Sequence, residues 1–282
     1  MMQTLNAASR DNEIYIPSRI KWEDVKVVVL DLDGVFYPET QEFHNNVNFF
    51  MSGALIQLAS QRGIDLSGKQ QDLMDIGFDG YDKKGHSFNG LQPWLDKNYP
   101  GKFDLLGADW EYMHHLIHDM HIAHAGTIPG YFESCEERRK FFESLCSFEN
   151  YVILTHGSKN WARGVVQALD IDHHFEDSQI YGLECVDFNR KDKGPEPFEK
   201  ICRDLNVAPG NVLFIDNTMK NHIFPSRLGM QTLWIQGDRE NPEKLPEYVS
   251  DQAHDLAQVA VSRKNWETGE DISIPPPKND NF

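Results

Sequence analysis

The chain has 282 residues, of which 40% are hydrophobic and 25% charged, a composition typical of a globular protein. Its length is enough for one large domain or a core domain plus a smaller one. No apolar run approaches the roughly 20 residues that cross a bilayer, and the N-terminal segment lacks the charged-then-apolar layout of a secretory signal, so we expect a soluble, cytoplasmic protein without a membrane span. The net charge of −17 disfavours nucleic acid as a partner, because like charges repel, whereas a small phosphorylated substrate needs only a local positive site. The four cysteines form no Cys-x-x-Cys pair, so we expect reduced thiols and neither a zinc nor a redox site.

Short apolar runs rich in β-branched residues predict the strands of a parallel sheet. They are found at 26–30, 151–154, 212–215 and, more weakly, 232–235. Helical stretches such as 159–169 and 195–205 lie between them. Strands that alternate with helices indicate the α/β class, here a Rossmann-like, doubly wound parallel sheet covered by helices on both faces.

A long helical insertion interrupts this alternation after the first strand. Between 38 and 148 we find no convincing strand, and the amphipathic stretches there are 48–61, 110–124 and 136–147. We interpret the segment as a helical cap domain inserted through a loop of the core. The predicted division is a core at 20–37 and 149–262, a helical cap at 38–148 and a C-terminal tail at 263–282. We expect the tail to be extended or mobile.

Two carboxylates follow the first strand, in the segment Asp31-Leu32-Asp33-Gly34. On extended backbone, residues two apart point to the same side, and ligands of open α/β sheets bind beyond the carboxyl ends of the strands. Asp31 is ionised at neutral pH and can attack a phosphate ester without a base. Asp33, beside a second anion, can hold the proton that the leaving oxygen needs. The alternative for such a pair alone is the cap of a loop or helix, which Asp forms well.

The second strand ends in Thr155-His156-Gly157-Ser158. A hydroxyl and successive backbone N–H groups at the start of a helix can bind an anion. Considered alone, the segment is more typical of an N-cap before the helix that follows.

The third strand ends at Asp216, which precedes Asn217 and Asn221. Mg²⁺ is a hard cation that keeps several waters and takes one or two carboxylates together with the substrate phosphate. Asp31 and Asp216, from nearby strands, would supply these carboxylates and so hold the transferring phosphoryl group through the metal.

A cation is also expected at the phosphate. Lys191 and Lys193 precede Pro195-Glu196-Pro197-Phe198, the predicted start of a helix with Pro in its first turn. A lysine there would be a point charge on phosphate and nucleophile. We prefer Lys193 over Lys191, and the alternative is a solvated loop lysine.

These motifs, in this order, resemble the haloacid dehalogenase (HAD) superfamily of hydrolases. The matching segments are 31–35, Thr155, a lysine before 195–198, and 214–216. The resemblance covers the core from about 26 to 235. Within the superfamily, two stretches look closest to the pyrimidine 5′-nucleotidase-like phosphatases, namely 154–162 and 214–221.

The resemblance implies a magnesium-dependent phosphomonoesterase that acts through an aspartyl phosphate, with a cap that closes over the site and selects the substrate. Asp31 would be the nucleophile and Asp33 the acid and base. The expected substrate is a small phosphorylated metabolite such as a nucleoside 5′-monophosphate. The implied ligands of Mg²⁺ are Asp31, the carbonyl of Asp33, and Asp216. The candidates for binding phosphate, substrate or metal-bound water are Thr155, His156, Lys193, Asn217 and Asn221.

Two positions depart from the family pattern. Asn217 stands where the family often has a second Asp, and Lys193 lies one residue off the usual spacing to Phe198. One alternative function is a phosphatase acting on phosphotyrosine or another protein phosphate. Another is a non-catalytic binding module on the same fold, for which Asn217 is the support. Asp33 favours a phosphatase, because dehalogenase members lack an acid at that position.

The predicted cap contains His114, His118 and His121 on one face of a helix, a spacing that can bind a transition metal. Without a matching Cys or Glu-x-x-His pattern, we interpret them as polar cap residues, of which one or two face the substrate pocket. The segment 79–82, Asp-Gly-Tyr-Asp, is typical of a turn.

Overall fold

A computed structural model describes residues 19–84, 86–128, 131–132, 136–146, 148–237, 239, 242, 244–259, 263–264 and 271–272. Its main sheet consists of β1 (Val27–Leu30), β2 (Asn150–Leu154), β3 (Ile180–Tyr181), β4 (Val212–Asp216), β5 (Gln231–Ile235) and β6 (Asp251–Ala253). All six strands are parallel, in the order β3-β2-β1-β4-β5-β6. The predicted parallel α/β sheet is confirmed.

Eight α-helices lie between these strands in the described part of the chain. They are α1 (Gln41–Gln61), α2 (Gln70–Lys84), α3 (Phe88–Asn98), α4 (Trp110–Ala125), α5 (Glu136–Leu145), α6 (Lys159–Ala168), α7 (Glu196–Asp204) and α8 (Ile223–Arg227). Side-chain caps fix where two of them begin: the hydroxyl of Thr40 accepts from the backbone of α1, and that of Ser158 from the backbone of α6. Each cap satisfies an amide that has no partner within its helix.

β1 shows why the sheet is covered on both faces. Its four residues are all buried, and successive side chains of a strand point to opposite sides. Val28 and Leu30 pack in the same hydrophobic cluster as α5 and α6. Val27 and Val29 pack in the cluster that contains Phe198 of α7. A strand buried on both faces reads as a continuous apolar run rather than an alternating one.

The helices α1 to α4 form a layer with its own hydrophobic cluster. One buried leucine or methionine from each helix represents it: Leu55, Leu73, Leu91 and Met113. The fifth helix of the predicted cap behaves differently, because α5 packs in the core cluster beside the sheet. The amphipathic face of that stretch therefore contacts the core, although the stretch lies within the range 38–148 that we assigned to the cap.

The interpretation of residues 79–82 as a turn is wrong, because they continue α2. Gly80 lies where α2 and α3 cross at close range. A Cβ atom on Gly80 would lie 2.6 Å from the backbone nitrogen of Gly90 in α3. Gly80 therefore allows two helices to pack closely. From composition alone, a glycine in a helix contact cannot be distinguished from a glycine in a turn.

Most of the predicted tail, 263–282, lies outside the described residues. The parts that are described are β7 (Arg263–Lys264) and β8 (Asp271–Ile272), which pair as antiparallel strands. Among the cysteines, Cys146, Cys185 and Cys202 are free thiols, whereas Cys135 lies outside the described residues. Across the described segments, no helix is long and apolar enough to cross a bilayer.

Candidate active site

The register of the sheet brings three predicted site residues to one edge. β1 is paired with Ile153 of β2 and Ile215 of β4 at its last residue. Asp31, Thr155 and Asp216 therefore follow or end three adjacent strands at the same edge, and all three are buried. This is the carboxyl end of a parallel sheet, where open α/β proteins bind ligands.

A buried lysine joins the two carboxylates. The Nζ atom of Lys191 lies 2.8 Å from Oδ1 of Asp31 and 2.7 Å from Oδ2 of Asp216. It also donates to the carbonyl of Leu154 at 3.1 Å. With 1% of its side chain exposed, Lys191 is fully enclosed by acceptors.

The preference for Lys193 is therefore corrected in favour of Lys191. The side chain of Lys193 is 71% exposed and lies 3.5 Å from Asp192, outside the cluster. The backbone explains the difference. The amide of Lys191 donates to Nε2 of His156 at 3.0 Å, which turns Lys191 toward the sheet, whereas the amide of Lys193 closes a turn on the carbonyl of Arg190.

The cluster of Asp31, Lys191 and Asp216 contains more acidic than basic groups. Burial and the neighbouring Asp216 raise the pKa of Asp31 well above its usual range, with Lys191 acting in the opposite direction. Burial would also raise the pKa of Asp216, but Lys191 outweighs burial and lowers it. The pKa of Lys191 is raised, because its two carboxylate partners outweigh its burial. One ammonium group thus faces two buried carboxylates, with a third, Asp33, close by.

Asp33 is held by hydrogen bonds from three side chains. The Tyr37 hydroxyl and, at 2.8 Å, Nε1 of Trp161 donate to Oδ1 of Asp33. The Thr155 hydroxyl donates to Oδ2 at 3.3 Å. Burial raises the pKa of Asp33, and the hydrogen bonds act in the opposite direction. The carboxyl group is thus fixed in place and inclined to hold a proton.

Thr155 also accepts a hydrogen bond, from the amide of Gly157 at 2.9 Å. The structure places His156 differently from our expectation of a phosphate contact, because its Nε2 atom accepts from the amide of Lys191. Burial, together with the charge of Lys191, lowers the pKa of His156 far below its usual range. In this arrangement the uncharged ring of His156 accepts the hydrogen bond that positions Lys191.

The two predicted asparagines, Asn217 and Asn221, contact different carboxylates. Nδ2 of Asn221 donates to both carboxylate oxygens of Asp216, at 3.1 and 3.0 Å. Nδ2 of Asn217 lies 3.4 Å from Oε2 of Glu39. It is also close to Gly34, whose φ of +74° favours glycine and where a Cβ atom would overlap the Asn217 amide.

A cavity of about 880 Å³ extends from this cluster to the layer formed by α1 to α4. His114, His118 and His121 of α4 all line it. Nδ1 of His118 contacts the carbonyl of His114 at 2.7 Å, and Nε2 of His121 the hydroxyl of Tyr131 at 2.6 Å. Burial lowers the pKa of His118 to about 3 and that of His121 to about 4, so both rings are uncharged at neutral pH.

The profile of the haloacid dehalogenase-like hydrolases matches residues 25–222, which include all the strand ends described above. The chain belongs to this family. None of the curated proteins matches the sequence. The narrower likeness to the pyrimidine 5′-nucleotidase-like phosphatases stays a prediction.

Solved HAD structures share the fold. A HAD phosphatase of Thermococcus onnurineus is similar with a TM-score of 0.54 at 15% identity, and the match covers 88% of this chain and 100% of that one. A family IA, variant 3 HAD hydrolase of Entamoeba histolytica has a TM-score of 0.56 at 15% identity, with 83% and 95% covered. Likeness at this identity shows the HAD fold alone, because one fold hosts many activities.

The donor set fits the magnesium ion that HAD hydrolases generally use. Among the described residues, no group of three or more His, Cys, Asp or Glu side chains is arranged to hold a metal. Two carboxylates from Asp31 and Asp216 suit Mg²⁺, which keeps several waters, better than a metal held by a full protein cage. The buried Oδ1 atom of Asn221 has no hydrogen-bond partner, and a metal-bound water would supply one. A divalent cation would also offset the excess negative charge.

Three residues of the site were missed or ranked wrongly from sequence. Tyr37 and Trp161 contact Asp33, and Lys191 takes the place we gave to Lys193. Trp161 lies in the first turn of α6, so the helical period could place its side chain on the side of the preceding loop. The sequence holds no comparable signal for Tyr37, whose position depends on the loop between Asp33 and α1.

Proposed function

We propose that this HAD hydrolase is a magnesium-dependent phosphomonoesterase in which Asp31 attacks phosphorus and forms an aspartyl phosphate. The observation that carries the proposal is the second carboxyl group at the site, Asp33, which is half-buried and fixed by hydrogen bonds from Tyr37, Trp161 and Thr155, and whose pKa is raised by its removal from solvent. An alcohol leaves a phosphate ester readily only if its oxygen is protonated, and a carboxyl group that holds a proton can supply it. Displacement of a halide from a haloacid needs no such acid.

The chemistry divides between the two carboxylates. An oxygen of Asp31 forms a bond to phosphorus while the bond from phosphorus to the leaving oxygen breaks, and that oxygen takes the proton of Asp33. The Asp33 carboxylate then takes a proton from water, whose oxygen attacks phosphorus and releases Asp31. Lys191 offsets charge on Asp31 and on the phosphoryl group. The Thr155 hydroxyl, which accepts from Gly157, donates its proton to a phosphoryl oxygen.

The residues that would hold Mg²⁺ are Asp31, the carbonyl of Asp33, and Asp216, and the bound ion would offset the charge of the transferring phosphoryl group. Asn221 fixes the Asp216 carboxylate through bonds to both oxygens. Its free Oδ1 atom is available to orient a water.

A small substrate is supported by the size of the cavity. A volume of about 880 Å³ lies within the range of sites that bind small ligands. Aromatic side chains such as Phe43, Phe78, Phe88 and Trp110 line the cap side. A planar leaving group such as a nucleoside could pack on such rings, so we place nucleoside 5′-monophosphates first.

The test is an activity panel with Mg²⁺ that includes nucleoside monophosphates, sugar phosphates, a phosphotyrosine peptide and a 2-haloacid. We expect phosphate release that Asp31→Asn and chelation of Mg²⁺ each abolish. Asp172→Asn is the matched control, because Asp172 is exposed in a turn away from the site, and it should keep full activity. Halide release without phosphate release, or phosphate release that survives Asp31→Asn, contradicts the proposal.

A further inference from the structure

The two oxygens of the Asp33 carboxyl group have different surroundings. Oδ1 accepts from the Tyr37 hydroxyl and from Nε1 of Trp161 at 2.8 Å. Oδ2 has one longer contact, 3.3 Å from the hydroxyl of Thr155. Under the proposed function Thr155 turns its proton to the phosphoryl group, which leaves Oδ2 without that donor when substrate is bound.

Both donors to Oδ1 are held rigidly. Tyr37 lies at a β-bridge with Asp33 and is buried. Trp161 is also buried, and its backbone amide donates to the hydroxyl of Ser158 at 3.1 Å. The ring of His121 lies 4.6 Å from the Trp161 ring, and that of Phe132 5.7 Å from it. Neither donor can follow a rotation of the carboxyl group without disturbing this packing.

We propose that Tyr37 and Trp161 are positioning residues that fix the Asp33 carboxyl group, so that Oδ2 is the oxygen that gives and takes the proton. The inference rests on the proposed phosphatase function and adds two residues to it. Oδ1 already accepts hydrogen bonds from Tyr37 and Trp161, which occupy its two lone pairs. The proton therefore resides on Oδ2. During phosphoryl transfer the O–H bond at Oδ2 breaks and the proton joins the leaving oxygen. In the second step Oδ2 takes a proton from the attacking water.

Loss of the hydrogen bond from Tyr37 or Trp161 should therefore lower kcat/KM only for substrates whose leaving group needs a proton. An alkyl alcohol requires one, whereas 2,4-dinitrophenolate leaves as a stable anion. The constant to compare is kcat/KM, because it covers the steps up to transfer of the phosphoryl group to Asp31 and excludes the later hydrolysis. A residue that merely supports the fold would affect both substrates equally.

The experiment measures kcat/KM of Tyr37→Phe and Trp161→Phe with an alkyl phosphate that the wild type hydrolyses and with 2,4-dinitrophenyl phosphate. We expect a loss of about tenfold or more with the alkyl phosphate, a part of the hundredfold or greater effect of a general acid, and a change of less than about twofold with the aryl ester. Tyr151→Phe is the matched control. It removes a hydroxyl that donates to the carbonyl of His174 rather than to Asp33, and both constants should stay at the wild-type value.

Equal losses with both esters, or no loss with either, in Tyr37→Phe would overturn the inference. If Trp161→Phe fails to fold, Tyr37→Phe decides alone, with its thermal midpoint measured beside the wild type. The proposed function fails separately, if Asp31→Asn still hydrolyses either ester.

Discussion

At the scale of single residues, Lys191 is the group that joins the carboxylates of Asp31 and Asp216. It is fully enclosed and contacts two carboxylates at 2.8 and 2.7 Å. Burying a charge without a partner is costly, so removing this ammonium leaves Asp31 and Asp216 to repel each other in a buried environment.

We expect Lys191→Met to lower the free energy of unfolding by about 3 to 5 kcal/mol, the usual cost of breaking a buried ion pair from one side. Urea denaturation without added metal measures it, and phosphatase activity should be lost as well. Lys193→Met is the control, because the exposed Lys193 should contribute less than about 0.5 kcal/mol. Comparable losses in the two variants would show that Lys193 shares the role.

The sequence was sufficient to predict that Asp31, Thr155 and Asp216 lie at one edge of the sheet, because each directly follows or ends a strand that its composition reveals. Asp33 follows two residues after Asp31. The sequence was insufficient to choose between Lys191 and Lys193. That choice depends on how one short turn, closed by hydrogen bonds to His156 and Arg190, directs two side chains. A turn of this kind has no periodicity from which direction could be inferred.

At the scale of elements, α4 joins the cap layer to the core. Its first half, with Met113 and Ile117, packs among α1 to α3, whereas Ile122 packs against the core cluster. Asn160 of α6 donates to Asp119 of α4 at 2.6 Å. A Cβ atom on Gly164 of α6 would overlap the Ile122 side chain, so the two helices approach as closely as a glycine permits.

Gly164→Ala tests this contact through its effect on stability, to which two opposing terms contribute. Helix propensity favours Ala over Gly by about 1 kcal/mol, but overpacking against Ile122 costs about 1 to 3 kcal/mol. We expect a net loss of stability by thermal or urea unfolding, together with a raised KM. In the Ile122→Ala background the same substitution should become neutral or stabilising. A stabilising Gly164→Ala in the wild-type background would contradict the close approach.

The strands of the main sheet that were missed from sequence are both short. β3 and β6 have two and three residues, too few for a recognisable pattern, and they are positioned by pairing with longer strands. The four predicted strands have four or five residues, most of them buried and apolar. The sequence predicted α5 as a helix but not its packing in the core cluster, because an amphipathic pattern shows that a face is buried and not which partner buries it.

At the scale of the whole molecule, the proposed function assigns the chemistry and the choice of substrate to different parts of the chain. The strand ends supply the carboxylates, and the turn before α7 supplies Lys191. The other wall of the cavity consists of residues from α1 to α4 that are far apart in sequence. For that reason a reaction could be proposed from short motifs, whereas the shape of the wall that would select a leaving group depends on how four helices pack.

The central claim is that Asp31 carries the phosphoryl group during turnover. The most direct measurement uses the Asp33→Asn variant with 2,4-dinitrophenyl phosphate and Mg²⁺, because this ester needs no acid to load Asp31 and the variant lacks the base that would release it. After an acid quench, peptide mass spectrometry should find one phosphoryl group on Asp31, and none in a variant that also carries Asp31→Asn. Release of dinitrophenolate with no phosphorylated peptide, or with the phosphoryl group on another residue, would contradict the account.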